Sequence, residues 1–413
     1  MRFLFLIKYT DILGGVETLA ARMSAWLCST GHEVTIITNQ FHDSCCQLFD
    51  SRVRLVSHGR GTYALGDLPT AKEICGVFRI QRPDLIKGFD PETCFEAGVV
   101  SRCFAPQPKV VAGVYLPTHD RPSRALYKDT RRRLIHSYFV HGLSRENRIF
   151  LGHEQKAEYR GGTSPLMDGH VWPLPVDVGR YKSVKRSPRS GALVSVGRLS
   201  PMKEYNFYMV DIVEKLSREG RDVTWDIYGD GPDEQSLLQL VRERNLGHQI
   251  KLHGRLPYHK FEDAMKMAYA FIGMGTAAVE AAASGVPVIV AMGHDRSGKT
   301  YGRISTLPLG NIGDRMATPP ARSVIDEIRA LLELSPQAYA SEARKDKDYV
   351  QQYDVNVRMK QFMEIVEQAT PSPPSNYLLF LYSCHLRLEQ FFRSTFRRSR
   401  VTSSLGGDRQ TVR

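Results

Sequence analysis

The sequence predicts an α/β protein of two doubly wound domains, and two observations lead to this class. Short apolar runs of the kind that form buried parallel strands alternate with helical patterns over residues 1–177, and a second alternating series covers residues 178–370. Between the two series, the stretch PLPVDVGRYKSVKRSPRSG is rich in proline, glycine, serine and charge, which is typical of a linker. We therefore expect two Rossmann-like domains that meet near Asp177, with a cleft where the carboxyl ends of both sheets face each other.

The strands of the first domain are predicted from five apolar runs: RFLFLIK, HEVTIIT, VRLV, DLIKGF and KVVAGVY. The first run ends at Lys8 without a small-residue cleavage site, so we interpret it as a strand and not as a signal peptide. A helix from Gly15 to Thr30 follows, and Gly14 and Gly15 at its start allow backbone N–H groups to approach an anion. A plain turn between a strand and a helix explains the glycine pair equally well.

The second domain begins with the strand GALVSVG and contains two later strands, AYAFI and VPVIVA, on either side of a short helix of small residues. We expect Thr276 to cap this helix, and its single charged residue, Glu280, lies about one turn from the start. A helix start directs free N–H groups toward whatever lies above the sheet, which suits an anion. Loops after the neighbouring strands add five residues to the candidate site: Gly229, Gly231, Arg255, Gly273 and Gly275.

Two cations follow the first strand of the second domain in the stretch VSVGRLSPMKEYN. Arg198 and Lys203 lie near a helix start, where a cation is unfavourable unless an anion is present. A planar fork of donors and a compact ammonium can together neutralise a departing diphosphate without a metal. Because Glu280 can accept hydrogen bonds from a ribose diol, the three residues predict a nucleotide-diphosphate site in the cleft.

Five motifs occur together along the chain: GGVE near the start, VGRLSPMK, YGDGP, HGRLP and EAAASGVPVI. In the order and spacing of these motifs, the chain resembles the retaining glycosyltransferases of the GT-B fold, glycosyltransferase family 4. The resemblance covers about residues 1–370. The resemblance implies that the first domain faces the acceptor and that the second holds a nucleotide-sugar donor, with Arg198 and Lys203 on the diphosphate and Glu280 on the ribose. It also implies transfer of a sugar to a hydroxyl group of a glycan or lipid-linked acceptor, with retention of anomeric configuration and without a metal or other cofactor.

The chain departs from this family pattern in the first domain and in the second. The family places a first glutamate where this sequence has Ile272. Three explanations stay open: backbone amides of Gly275 and Thr276 contact the donor sugar instead, the donor sugar differs from the usual glucose-like ones, or activity is lost. The family also tends to place a histidine near the donor sugar, at the end of a first-domain strand. Tyr115 lies in the direct register and His119 follows it, and we select His119 as a catalytic residue, although a loop histidine without this role is an equally good interpretation.

A net charge of +12 at pH 7 and a pI near 9.3 favour acidic partners, namely phosphorylated ligands and an anionic membrane surface. The resemblance implies that the phosphorylated ligand is a nucleotide sugar, which we expect to be UDP- or GDP-linked. Nucleic acid is excluded as a partner because no recognition module is present and aromatic residues do not alternate with the basic clusters. Seven cysteines without a CxxC pair argue against a disulfide framework and a zinc site. No apolar stretch is long enough for a spanning helix. We expect a cytoplasmic protein, or one on the inner face of the plasma membrane, in a bacterium that assembles surface polysaccharide.

Residues 371–413 are predicted to form a separate tail after the break TPSPPS. Its apolar residues recur largely at helical spacing: Leu378, Leu381, Tyr382, Leu388 and Phe392. An arginine-rich end follows, so this basic amphipathic segment is suited to a membrane interface, with the basic cluster 131–133 as a second contact. The apolar side can equally pack against the two domains.

Two other functions remain as alternatives. A non-catalytic nucleotide-sugar-binding protein on the same scaffold would explain the presence of Ile272. A P-loop NTPase is less favoured. The stretch GHDRSGKT, residues 293–300, matches the phosphate-binding loop, but Gly302, Pro308 and Gly310 follow where that loop requires a helix.

Overall fold

A computed structural model describes residues 1–8, 14–41, 46–61, 64–115, 126–162, 168–181 and 184–389. In these ranges two parallel sheets are covered by helices, so the predicted α/β class with two doubly wound domains is confirmed. The central strands are buried along almost their whole length, because helices cover both faces of each sheet. This burial explains why the strands appear in the sequence as continuous apolar runs.

Before the linker, the described part of the first domain contains seven strands and five helices. The strands are β1 (Arg2–Leu6), β2 (Glu33–Thr38), β3 (Arg54–Ser57), β4 (Leu85–Gly88), β5 (Lys109–Val114), β6 (Arg148–Phe150) and β7 (His170–Val171). The helices are α1 (Gly15–Ser29), α2 (Leu68–Val77), α3 (Pro91–Ser101), α4 (Leu126–Ser137) and α5 (His153–Gly162). The sheet order is β3-β2-β1-β4-β5-β6-β7. Alternate residues of β1 point to opposite faces, with Leu4 and Leu6 in one core and Phe3 and Phe5 in the other.

The second domain repeats this arrangement with five parallel strands. They are β8 (Ala192–Val196), β9 (Thr224–Tyr228), β10 (Ile250–Leu252), β11 (Ala270–Gly273) and β12 (Val288–Val290), in the order β10-β9-β8-β11-β12. The helices are α6 (Tyr205–Arg218), α7 (Glu234–Glu243), α8 (Phe261–Met265), α9 (Thr276–Ala283), α10 (Val324–Leu332) and α11 (Pro336–Tyr349). A small antiparallel pair, β13 (Lys299–Thr300) and β14 (Arg322–Ser323), lies apart from the sheet.

The chain returns to the first domain after α11. Helix α12 (Val355–Gln368) packs against α1, and its buried residues Met359, Phe362 and Ile365 join the core of the first domain. The indole nitrogen of Trp172 donates a hydrogen bond of 2.6 Å to the carbonyl oxygen of Arg358. The predicted range 178–370 assigns this helix to the second domain by sequence order, whereas its packing joins it to the first.

The beginning of the predicted tail also packs on the first domain. Helix α13 is described over residues 376–389, and its Leu378 and Tyr382 are buried there. The Tyr382 ring centroid lies 4.5 Å from that of Phe95, and Arg131 pairs with Glu389 at 3.5 Å. Arg131 is therefore used inside the protein and is not free for the membrane contact proposed from the sequence. Residues 390–413, including Phe392, lie outside the described residues.

Candidate functional site

Each sheet has one position where two neighbouring strands lead into helices on opposite faces. In the second domain this position lies between β8 and β11, which pair in parallel. Ligands of open α/β sheets bind in the crevice outside the carboxyl ends of such strands. The loop after β8 carries Arg198 and Lys203, and the loop after β11 leads through Gly275 to Thr276. The fold thus brings four of the residues selected from the sequence to one crevice.

Lys203 is half-buried in this crevice and has no ionic partner among the described residues. Burial lowers the pKa of its ammonium group to about 8. Arg198 is exposed and likewise forms no ion pair with the residues that the structure describes. A partly buried cation without a counter-charge is unfavourable, and an anion in this loop would relieve that cost for Lys203.

Backbone hydrogen bonds tie this loop to the loops after β9 and β10. The N–H group of Gly197 donates to the carbonyl oxygen of Tyr228 at 2.8 Å, and that of Leu199 donates to Asp230 at 2.8 Å. The N–H group of Gly229 donates to the carbonyl oxygen of Gly254 at 2.7 Å. A Cβ atom on Gly229, whose φ is +154°, would lie 2.0 Å from the carbonyl oxygen of Gly197. Glycine is therefore required there for the loops to approach each other, and Gly231 has the same relation to Leu199. The contact of Gly229 and Gly231 with the donor remains a prediction.

The start of α9 is formed differently from the sequence expectation. Gly275, with φ of +75°, is the N-cap, and Thr276 is the first residue of the helix and not its cap. No side chain of the described residues caps this end. The N–H group of Ala278 donates to the carbonyl oxygen of Gly275 at 3.1 Å, so Thr276 and Ala277 supply the N–H groups that can face a ligand. The N–H group of Gly275 itself donates to the carbonyl oxygen of Ile312 at 2.7 Å, and Gly273 lies buried at the end of β11.

Ile272, the residue at the family's first glutamate position, belongs to the core of the second domain. Its side chain is fully buried in the cluster that contains Trp225 and Ile227. Its carbonyl oxygen accepts a hydrogen bond of 2.6 Å from the Ser195 hydroxyl group. A carboxylate at this position would lie in an apolar environment, which accounts for the isoleucine physically.

Glu280 lies at the contact between the two domains. Its carboxylate is 4% exposed and forms an ion pair with Arg22 of α1. The Tyr258 hydroxyl group donates to the same carboxylate oxygen, Oε1, at 3.2 Å. Burial raises the pKa of Glu280, whereas the charge of Arg22 acts to lower it.

The start of α1 holds the predicted glycines of the first domain. Gly14 is the N-cap, and its N–H group donates to the Glu17 carboxylate at 3.0 Å, while Gly15 is the first residue of the helix. One of the N–H groups expected to face an anion is therefore already paired with a carboxylate. The arrangement is a capping interaction, which stabilises the helix without any ligand.

Of the two positions considered for the family histidine, 115 and 119, the structure describes only the first. His119 lies outside the described residues. Tyr115 is buried and its hydroxyl group accepts a hydrogen bond of 2.7 Å from the Lys87 ammonium group. Lys87 is fully buried, and this burial lowers its pKa to about 7. Tyr115 is thus part of the core of the first domain.

The remaining sequence candidates are exposed or have another structure. Arg255 is exposed in the loop after β10. Lys299 and Thr300 of the P-loop-like stretch form a β-strand, and the Thr300 hydroxyl group donates to the carbonyl oxygen of Val290 at 2.7 Å. Since a P-loop must continue into a helix that faces the phosphates, this stretch does not have that geometry. Over the described part of the chain, no group of histidine, cysteine, aspartate or glutamate side chains could hold a metal ion.

Sequence reasoning missed Arg22 and the aromatic residues next to the site. Arg22 lies within the helical pattern of α1, where a charged residue normally indicates a solvent-exposed face. The rings of Tyr228 and His253 stack at 4.5 Å between centroids at the ends of β9 and β10. Their motifs, YGDGP and HGRLP, were the available signal, but the residues selected from them were Gly229, Gly231 and Arg255.

Comparison with known proteins places this site in a family context. Residues 182–295 match the sequence model of the family Glycosyl transferases group 1. Anabaena HepE, solved in complex with UDP and glucose, aligns with 89% of this chain and 99% of its own, with a TM-score of 0.65 and 17% identity. The apo form of the lipopolysaccharide outer core galactosyltransferase WaaB aligns over the same shares, with a TM-score of 0.58 and 13% identity. The chain has the GT-B fold.

The segment of this GT-B protein that matches the family model lies in the second domain and includes Arg198, Lys203 and Glu280. A 2-deoxystreptamine glucosyltransferase of Streptomyces kanamyceticus is 31% identical over 122 residues. That alignment covers 28% of this chain and 31% of the Streptomyces enzyme. The resemblance found in the motifs is confirmed at the level of fold and domain.

Proposed function

We propose that this GT-B protein is a retaining glycosyltransferase that moves a sugar from a nucleotide-diphosphate sugar to a hydroxyl group of a glycan or lipid-linked acceptor. The proposal rests on two cations, Arg198 and Lys203, that have no ionic partner among the described residues and lie beside the start of α9, where no side-chain cap is described. All three features lie where ligands of such sheets bind, at the carboxyl ends of β8 and β11. An uncapped helix start and two cations form a site for a diphosphate.

In the proposed reaction the bond between the anomeric carbon and the diphosphate oxygen breaks, and the acceptor oxygen bonds to the same face of the sugar. Arg198 and Lys203 stabilise the negative charge that develops on the leaving diphosphate. The proton of the acceptor hydroxyl group passes to a diphosphate oxygen, so no separate base is required. Glu280 accepts hydrogen bonds from the ribose, and His119 is proposed to lie near the donor sugar. No metal or other cofactor takes part in this proposal.

The donor is proposed to be a UDP- or GDP-linked sugar. HepE is described in complex with UDP and glucose, which supports a uridine nucleotide as the first to test. For the acceptor we favour a surface polysaccharide or its lipid-linked precursor in a bacterium, since WaaB is described as a galactosyltransferase of the lipopolysaccharide outer core. Contact with such an acceptor is compatible with the net charge of +12.

A peripheral position on the inner face of the plasma membrane is part of this proposal. Within the described residues, no helix combines the length and apolar character that crossing a bilayer demands. The outer face of α13 exposes Tyr377, Phe380 and Leu388, at 72%, 65% and 52% of their surface. In the sequence, arginines at positions 387, 393, 397, 398 and 400 lie on and after this helix, which suits an anionic interface.

The experiment that tests the proposal is a screen of UDP-, GDP- and other nucleotide sugars for binding and for release of the nucleoside diphosphate. We expect one donor to bind and to be hydrolysed slowly without an acceptor, and the anomeric configuration of a transferred sugar to be retained. Binding without turnover against any acceptor would favour the non-catalytic alternative. Absence of binding to every donor would contradict both.

A further inference from the structure

Arg22 joins the two domains at the carboxylate that is proposed to bind the ribose. It lies on α1 of the first domain, and 10% of its side chain is exposed. Its guanidinium group forms an ion pair with Glu280 on α9 of the second domain. It also donates to the Tyr258 hydroxyl group at 3.3 Å and to the carbonyl oxygen of Pro175 in the linker at 3.4 Å. One first-domain side chain thus contacts the second domain and the segment between them.

The hydrogen bonds to the Glu280 carboxylate are distributed unequally. Arg22 and Tyr258 both donate to Oε1, and the Tyr181 hydroxyl group also interacts with this carboxylate. Each carboxylate oxygen can accept two hydrogen bonds, so Oε2 has the capacity to accept one from a hydroxyl group of a ligand. Removing one partner of a buried ion pair leaves an uncompensated charge, which is strongly unfavourable. The carboxylate therefore depends on Arg22 for both its orientation and its charge.

We propose that Arg22 is a positioning residue that holds Glu280 ready for the ribose hydroxyl groups, so that nucleotide binding by the second domain depends on contact with the first. This role depends on the proposed function, because it acts on the same nucleotide site. A residue needed only for folding would affect the whole protein, whereas the proposed role of Arg22 is exerted through the Glu280 carboxylate alone. It also differs from inhibition, in which Arg22 would have to leave Glu280 before a nucleotide binds.

The charged and titratable groups around Glu280 give this proposal a pH dependence. They are Arg22 from α1, Tyr258 from the turn after β10, and Arg180 and Tyr181 from the linker. Burial raises the pKa of Glu280, and the charges of Arg22 and Arg180 lower it. Without Arg22 the pKa rises further, so the carboxylate becomes protonated at a higher pH and loses its capacity to accept two hydrogen bonds.

Arg180 provides a matched control within the same cluster. Its guanidinium carbon lies 4.6 Å from the centre of the Tyr258 ring, which is closer than that of Arg22, at 5.8 Å. Its ion pair, however, is with Glu262 at 3.1 Å and not with Glu280. Removing Arg180 changes the charge of the cluster but leaves the Arg22–Glu280 pair intact.

The test is titration calorimetry with UDP and with GDP, from about pH 5 to about pH 8, on the whole protein and its variants. We expect Arg22→Met to weaken binding about tenfold or more, the effect of one charged hydrogen bond, and to lose affinity at a higher pH than the wild type does. Arg22→Lys should recover part of the affinity, and Arg180→Met, which removes the smaller of the two charge effects on Glu280, should lose much less affinity than Arg22→Met does. Thermal unfolding of each variant verifies that it is folded.

A double-mutant comparison separates positioning from general stabilisation. In a Glu280→Gln background, Arg22→Met should have little further effect, because glutamine does not need a neighbouring cation. An equal loss in both backgrounds, or binding by Arg22→Met that is unchanged or tighter, would overturn the proposed role. If the wild type binds neither UDP nor GDP, the proposed function fails for these nucleotides and the role of Arg22 fails with it.

Discussion

The Lys203 ammonium group lies directly against the backbone of Gly197, at the carboxyl end of β8. A Cβ atom on Gly197 would be 1.9 Å from the Lys203 nitrogen. The glycine, with φ of +149°, therefore leaves the space in which the cation is held. Since burial also lowers the pKa of Lys203, an incoming diphosphate would stabilise its charged form.

Removing the Lys203 amine should abolish most of the activity without unfolding the protein. We expect Lys203→Ala to reduce turnover about 100-fold, because it removes one stabiliser of the leaving diphosphate. Lys215→Ala, an exposed lysine on α6, is the matched control and should be unaffected. The measurement is the rate of nucleoside diphosphate release with the preferred donor. Near-normal turnover by Lys203→Ala would show that the diphosphate binds elsewhere.

A methyl group at Gly197 should displace the cation without removing it. We expect Gly197→Ala to weaken nucleoside diphosphate binding, because the new Cβ atom occupies the place of the Lys203 nitrogen. Gly220→Ala is the control, since Gly220 also has a positive φ but has no atom within 4 Å of the added Cβ. Both changes place alanine at a positive φ, which strains the backbone by about 1 kcal/mol or more, so thermal unfolding must first verify that each variant is folded. Titration calorimetry then compares the affinities of the two variants for the nucleoside diphosphate. Equal affinities would contradict the proposed place of Lys203 in the binding site.

The pKa of Lys203 predicts how binding varies with pH. Its pKa is lowered to about 8, so the ammonium group is mostly charged below that pH and becomes neutral above it. The terminal phosphate of the ligand has a pKa of about 6 and stays ionised throughout this range. Affinity for the nucleoside diphosphate should therefore fall as the pH rises through about 8, whereas Lys203→Arg should show a flat profile because arginine remains charged. Parallel profiles for the two proteins would exclude Lys203 as the titrating group.

Ile272 should not tolerate the glutamate that the family pattern places there. Because its side chain is fully buried among apolar residues, Ile272→Glu should destabilise the protein by about 3 kcal/mol or more. Ile272→Val, which removes a single methyl group, should cost only about 1 kcal/mol. Urea unfolding measures both values. A stable Ile272→Glu protein with an altered sugar preference would mean that this side chain faces the donor.

The exposed face of α13 should contribute to binding of anionic membranes. We expect the whole protein to sediment with anionic vesicles and not with neutral ones, because apolar side chains and arginines act together at an interface. Replacing Tyr377, Phe380 and Leu388 by serine should reduce this binding, while the buried Leu378 and Tyr382 keep the helix in place. Equal sedimentation of the variant, or none by the wild type, would contradict the proposed membrane surface.

The sequence was sufficient to predict the two sheets and the loop that carries Arg198 and Lys203. Buried parallel strands give continuous apolar runs, and ligand loops follow those runs, so both features are local patterns. The core position of Ile272 was not predictable in this way. Its place was inferred from the family pattern, whereas its burial depends on how β11 packs against neighbouring strands.

The packing partners of helices were the other part that the sequence could not supply. An amphipathic pattern indicates that one face is buried but not against which domain, so α12 was assigned by sequence order. Helix α13 is apolar on several faces, and its inward side became known only from the contact between Tyr382 and Phe95. Arg22 and Glu280 are separated by 258 positions, and no local pattern links them.

A crystal structure of the protein with the nucleoside diphosphate selected by the donor screen tests the central claim most directly. We predict that the diphosphate lies between Arg198, Lys203 and the start of α9, with the ribose hydroxyl groups on Glu280. A nucleotide bound elsewhere, for example at Lys299, would contradict the assignment of the site and the glycosyltransferase mechanism derived from it.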